Sequence, residues 1–133
     1  MPKSPGKVAL PDRPLTEVEL ELMTILWKLG EGTVNDVMTA LPADRPLAYT
    51  SISTILRILE KKGVLETRKQ GRGHVYVPRL GKAEYESFSV RDLIERVFEG
   101  TPTALVRCLV ESESLSPAEL GAIRALLARK GGR

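Results

Sequence analysis

Thr50, Ser53, Thr54, Arg57 and Lys61 follow one another at spacings of three, one, three and four residues, which on a helix puts them on one face. Hydroxyls of this size suit hydrogen bonds to base edges and contact with the thymine methyl, and the two cations suit phosphate oxygens. Ala48, Ile52, Ile55, Leu56 and Leu59 occupy the other side, all within about 60° of Ile52 on a helical wheel. An ordinary solvated face would carry Glu, Lys and Gln more often than Thr and Ser, which are poorer helix formers. Shortly downstream, Arg68, Lys69 and Arg72 cluster on and beside the turn Gln70-Gly71-Arg72-Gly73. There glycine lets charge approach a nucleic-acid backbone or minor groove without steric cost. The chemistry these residues offer is recognition of DNA, with bases read by a helix and phosphates held by a turn.

His74 is the only histidine and Cys108 the only cysteine. Neither has a second soft ligand at metal spacing, and a Cys-His nucleophile would need a cleft and an orienting partner that the sequence does not suggest. We therefore expect no catalytic residues, no metal and no cofactor. His74 is expected on a hairpin beside DNA, and Cys108 as a packed thiol in an apolar helix. A single cysteine also excludes an internal disulfide framework.

These groups need a scaffold, and the pattern of the chain supplies one. Residues 1–14 carry four prolines and no helical period, the mark of a flexible N-terminal tail. Thr16 to Glu19 forms a capping box that opens a helix with Leu22, Ile25, Leu26 and Leu29, closed by Gly30 and flanked by Trp27 as a core anchor. Thr33 and Asp36 repeat the logic for a short second helix with Val34, Val37, Met38 and Leu41. After the turn PADRP, a third helix runs from about Ala48 to Lys62, and Val64 to Thr67 and His74 to Val77 make two strands.

Helix, helix, helix and hairpin is the order of a winged helix-turn-helix, predicted here over residues 15–80. Residues 81–133 read as three further helices, the last two starting at Thr101-Pro102 and at the capping box Ser116 to Glu119. Their apolar positions include Leu93, Val97, Leu105, Leu109, Leu120, Ile123 and Leu127, and no sheet remains for them to cover. Burial against a second copy is the expectation, which makes 81–133 a helical dimerisation domain. The fold class is mainly α with a small β-hairpin wing.

Charge agrees with this division. Residues 1–44 balance to −3, residues 45–82 to +7 and residues 83–133 to −1, within a net charge of +3. A basic middle third between near-neutral flanks is the footprint of a phosphate-binding surface. No stretch is long and apolar enough for a membrane span and no signal peptide opens the chain, so a cytoplasmic protein without membrane insertion is expected.

The fragments W-K-L-G, Y-T-S-I, R-I-L-E-K-K-G and the G-R…V-Y-V-P wing, in this order and spacing, resemble the repressors of bacterial penicillinase and methicillin-resistance genes. The resemblance covers residues 15 to 133 and is strongest over 15–80. It implies a homodimeric transcriptional repressor that binds inverted repeats in double-stranded DNA and dimerises through its C-terminal helices. By position, recognition contacts would fall on Ala48, Tyr49, Thr50, Ser51 and Thr54, joined by Ser53, Arg57 and Lys61 on the same helix. Wing contacts would fall on Arg72 and its neighbours Arg68, Lys69 and His74.

The family's β-lactam-responsive members are cut at an Asn-Phe pair by a sensor-linked protease, an implied partner. Here Cys108-Leu109 stands at that pair. Copper-responsive relatives carry a C-terminal cysteine cluster that this chain lacks. The competing reading is a winged-helix module that binds protein, for which added salt would hardly matter.

Overall fold

A computed structural model describes residues 10–131, which fall into two compact units divided between Ser89 and Val90. Residues 1–9 of the expected tail lie outside the described residues; Pro11, within that tail, is buried.

The first unit begins with α1 (Glu17–Leu29), opened by a full capping box. The Thr16 hydroxyl accepts from the Glu19 amide at 3.2 Å, and the Glu19 carboxylate accepts from the Thr16 amide at 2.9 Å. Gly30 ends the helix at φ +90°, a left-handed value that a side chain would strain. A second reciprocal box, Thr33 with Asp36, opens α2 (Val34–Ala40).

The third helix, α3 (Tyr49–Lys61), buries Ile52, Leu56 and Leu59 against Leu22, Met23 and Leu26 of α1 and Val37 of α2. Each of these fully buried side chains stabilises the fold by about 1.5–3 kcal/mol. Ala48, expected on that apolar face, is instead exposed, because it is the N-cap residue with extended backbone and stands ahead of the first helical turn.

Two antiparallel strands follow, β1 (Leu65–Gln70) and β2 (Gly73–Pro78), in register from Leu65↔Pro78 to Gln70↔Gly73. Gly71 and Arg72 form the two-residue turn. Gly71 alone of the pair takes positive φ, at +60°, as a type II′ hairpin requires at its first central position. Gly32 and Tyr76 exchange two main-chain hydrogen bonds of 2.8 and 3.0 Å, so the loop between α1 and α2 adds a single bridge to the outside of β2.

The helix α4 (Lys82–Val97) opens inside this first unit. Tyr85 stacks between Trp27 and Phe88 with ring centroids 6.0 and 5.8 Å away. Its hydroxyl accepts from the Leu15 amide at 2.8 Å, and Trp27 donates from Nε1 to the Leu80 carbonyl, also at 2.8 Å. Trp27 thus anchors the exit of the hairpin and the start of α4 together.

The second unit holds the rest of α4 with α5 (Pro102–Glu111) and α6 (Pro117–Gly131). The N-terminal signals are where the sequence puts them. Thr101 and Pro102 open α5, and the Ser116 hydroxyl accepts from the Glu119 amide at 3.1 Å. Neither α5 nor α6 buries any residue. No helix among the described residues is long and apolar enough to cross a membrane.

Candidate nucleic-acid interface

α3 presents its polar side outward. Ala48, Tyr49, Thr50, Ser51, Thr54, Arg57 and Lys61 are exposed and Ser53 is half-buried. The apolar period that drives Ile52, Leu56 and Leu59 inward leaves these residues no other place. The start of α3 differs from those of α1 and α2. Ala48 has no side-chain acceptor, so it gives the first-turn amides no cap. Such a helix start can serve an anion.

The hairpin sorts its side chains by strand alternation. Thr67 lies opposite Tyr76, and Lys69 opposite His74, so these four share one face of the ribbon. Arg68 points to the other face, where its guanidinium holds Glu31 bidentately at 3.0 and 2.8 Å and Gln70 Oε1 at 3.1 Å. This pairing raises the Arg68 pKa, chiefly through the hydrogen bonds to Glu31, and lowers that of Glu31 for the same reason. Lys69 and Arg72 have no ion-pair partner among the described residues.

Between α3 and the hairpin lies a cleft of about 620 Å³, closed at one end by the first residues of α2. Tyr49, Ser53 and Arg57 line it from α3, and Arg72, His74 and Tyr76 from the hairpin. Five of the residues expected at a DNA interface from the sequence are therefore brought together here: Tyr49, Ser53, Arg57, Arg72 and His74. Thr50, Ser51, Thr54 and Lys61 stand outside the cleft on the exposed face of the same helix, Ala48 at its start, and Arg68 and Lys69 along β1.

The cleft also holds residues that the sequence did not assign to DNA, among them Thr33, Asn35, Glu60, Thr67 and Tyr76. Thr33 and Asn35 enter by tertiary packing of α2, for which no local signal exists. Tyr76 was legible in principle, since it stands two residues from His74 on one strand. Glu60 would be an unfavourable charge for DNA, but its carboxylate accepts a hydrogen bond from the Thr67 hydroxyl at 2.8 Å and ties α3 to β1. Burial and the charge of Glu60 raise the Tyr76 pKa against the opposing effect of Arg57, so its phenol remains a donor at neutral pH.

The apolar positions expected at a dimer contact stay accessible in the single chain. Val97 is 61% and Leu127 65% exposed, Leu93 and Leu109 are also exposed, and Leu105, Leu120 and Ile123 are half-buried. Val90, Val106, Val110 and Leu126 join them as exposed apolar side chains. Cys108 corrects an expectation: it is exposed, not packed, because α5 has no buried face in one chain. Among the described residues no group of three or more His, Cys, Asp or Glu could hold a metal ion.

Comparison with known proteins agrees with the residues. A family model described as penicillinase repressor matches residues 15–129. The penicillinase repressor of Bacillus licheniformis is 29% identical over 113 residues, 85% of this chain and 88% of that protein. The transcriptional regulator BlaI of Mycobacterium tuberculosis (strain CDC 1551 / Oshkosh) is 33% identical, over 75% of this chain and 86% of its own. The solution structure of the DNA-binding domain of the repressor BlaI covers 57% of this chain and 94% of that one, at 32% identity and a TM-score of 0.49.

Proposed function

This chain belongs to the penicillinase repressor family, and from that premise we propose that it is a homodimeric transcriptional repressor binding an inverted-repeat operator in double-stranded DNA. The observation that carries the reading is the joint placement of a hydroxyl-and-basic helix face and a basic hairpin around one cleft. Residues 45–82, which contain both, hold a charge of +7. Thr50, Ser51, Ser53 and Thr54 serve as base readers from α3, together with Ala48 and Tyr49 at its start. Arg57, Lys61, Lys69, Arg72 and His74 serve the phosphates, and Arg68 joins them only when it leaves Glu31.

Residues 81–133 act as the dimerisation region, through Leu93, Val97, Leu105, Leu109, Leu120, Ile123 and Leu127. What supports this is that α5 and α6 leave apolar side chains on the surface and bury none of them alone. Two heads held by one dimer bind two half-sites with the second at high effective concentration, so separating the C-terminal helices releases the operator. In this reading the repressor works in the cytoplasm. A sensor-linked protease is its proposed partner in release, but Cys108-Leu109 replaces the family's Asn-Phe pair, so a cut in this chain does not follow the Asn-Phe rule.

The test is selection from a randomised duplex library with the full chain, followed by binding at several salt concentrations. Enrichment of an inverted repeat, with affinity falling steeply as salt rises, is the expected result. Enrichment of no sequence, or binding indifferent to salt, rejects the reading in favour of a protein-interaction module.

A further inference from the structure

Tyr76 is only 5% exposed and its ring is part of the hydrophobic core, yet it also lines the cleft between α3 and the hairpin. Among the described residues its hydroxyl has no hydrogen-bond partner, although the neighbouring Tyr85 hydroxyl accepts from the Leu15 amide. Two main-chain bonds to Gly32 hold Tyr76 from the outer side of β2, which makes Thr67 its non-hydrogen-bonded partner across the hairpin. The Tyr76 hydroxyl, bonded to no other described residue, opens on a cleft whose cations without an ion-pair partner among the described residues are Arg57 and Arg72. The one acid there, Glu60, is already engaged by the Thr67 hydroxyl. Because the hydroxyl opens to solvent, water satisfies it in the free protein, and an anionic acceptor entering the cleft from outside can replace that water with Arg57 and Arg72 beside it.

We propose that the Tyr76 hydroxyl donates to a backbone phosphate of the DNA strand entering this cleft, with Arg57 and Arg72 as the charge partners of the same phosphate group. The proposal rests on the DNA-binding reading above. It adds a phosphate-positioning residue that comes from the core side of the wing and not from its charged tip. The direction of the Tyr76 pKa, raised by burial and by Glu60, keeps the proton that this bond requires. A core-mounted donor costs little ordering on binding, because packing has already fixed its rotamer.

The experiment compares the wild-type chain with Tyr76→Phe and Arg57→Gln on two duplexes, one selected by the chain and one of random sequence. Tyr76→Phe should weaken binding to both by about tenfold, the effect of one hydrogen bond to a charged group, and leave the salt slope unchanged because a phenol displaces no counterion. Arg57→Gln should weaken both and lower the slope by about one. In the selected duplex, neutral methylphosphonates are then placed at one position at a time. At one position the substitution should cost Tyr76→Phe about tenfold less than it costs the wild type, the remaining loss being that of Arg57 and Arg72, and a merely destabilised variant would not reproduce that difference.

Affinity of Tyr76→Phe equal to wild type overturns the proposal, as does sensitivity to every phosphate alike. A loss confined to the selected duplex also overturns it, by making Tyr76 a base reader. Displacement of DNA by inorganic phosphate beyond that by chloride at matched ionic strength would assign the cleft to a free ion instead. If the wild type binds neither duplex, the repressor reading falls and this inference with it.

Discussion

The Arg68 guanidinium grips the Glu31 carboxylate through two hydrogen bonds, 3.0 and 2.8 Å long, that join β1 to the loop between α1 and α2. The pair lies at the surface, where an ion pair contributes little to stability. Its effect is to occupy a cation that wing composition alone assigns to phosphate. Replacing Glu31 by Gln should free that cation. We expect DNA affinity to rise severalfold on any sequence, the salt slope to steepen by up to about one, and the melting temperature to stay near that of wild type. Anisotropy titrations at three salt concentrations would check this, and an unchanged slope would leave Arg68 without a phosphate role.

The two kinds of DNA contact separate by their sequence dependence. Thr50→Ala and Thr54→Ala should cost about 1–3 kcal/mol on the selected operator and much less on random DNA. Lys69→Ala and Arg72→Ala should weaken both about equally, because phosphates carry no sequence information. Equal losses on both duplexes for the threonine variants would remove them from the readers.

Glu19 carries an acid-sensitive part of the stability. Burial alone would raise its pKa. The Lys62 hydrogen bond, the Thr16 amide and the Lys62 charge together outweigh burial and lower it. A carboxylate depressed in the folded state stabilises above its unfolded pKa, near about 4.3, and that contribution fades as pH falls through the folded value. Glu19→Gln should therefore be less stable than wild type at pH 7, by about 1–2 kcal/mol for the lost ion pair with Lys62, because glutamine can keep the capping box, and similar to it at pH 2. Urea denaturation at the two pH values tests the sign.

The helical order, two of the three N-terminal boxes, the hairpin turn and the exposed face of α3 were legible because each is written in local chemistry. Thr16 with Glu19, Thr33 with Asp36, and Gly71 beside Arg72 act within four residues of themselves. The Gly32–Tyr76 bridge, the Thr33 and Asn35 wall of the cleft, and the Glu31–Arg68 pair depend on segments distant in the chain, and no periodicity announces them. Cys108 was misjudged because an apolar helix reads as a buried one, whereas α5 has no partner face within a single chain.

The stacking of Tyr85 between Trp27 and Phe88 sets where a stable head can end. A chain ending at Ser89 should stay folded and be monomeric in sedimentation, while the full chain should be a dimer at micromolar concentration. A chain ending at Leu80 loses the Tyr85 stack and its bond to Leu15. It should be less stable than the longer head by about 3–5 kcal/mol, the cost of removing a large buried aromatic. Equal stability of the two truncated chains would show that the aromatic stack contributes nothing to the head.

The bare start of α3 also has a kinetic side. The amides of Tyr49, Thr50 and Ser51 precede the first internal bond of the helix, from Ile52 to the Ala48 carbonyl, and Ala48 offers no side-chain cap. In the free protein the Ser51 amide should trade its proton with deuterated water far faster than its counterparts in α1 and α2, Glu19 and Asp36, which the threonine caps bind. A phosphate seated there would finish the helix that the chain leaves open, and the exchange of those three amides would slow only while the operator is held.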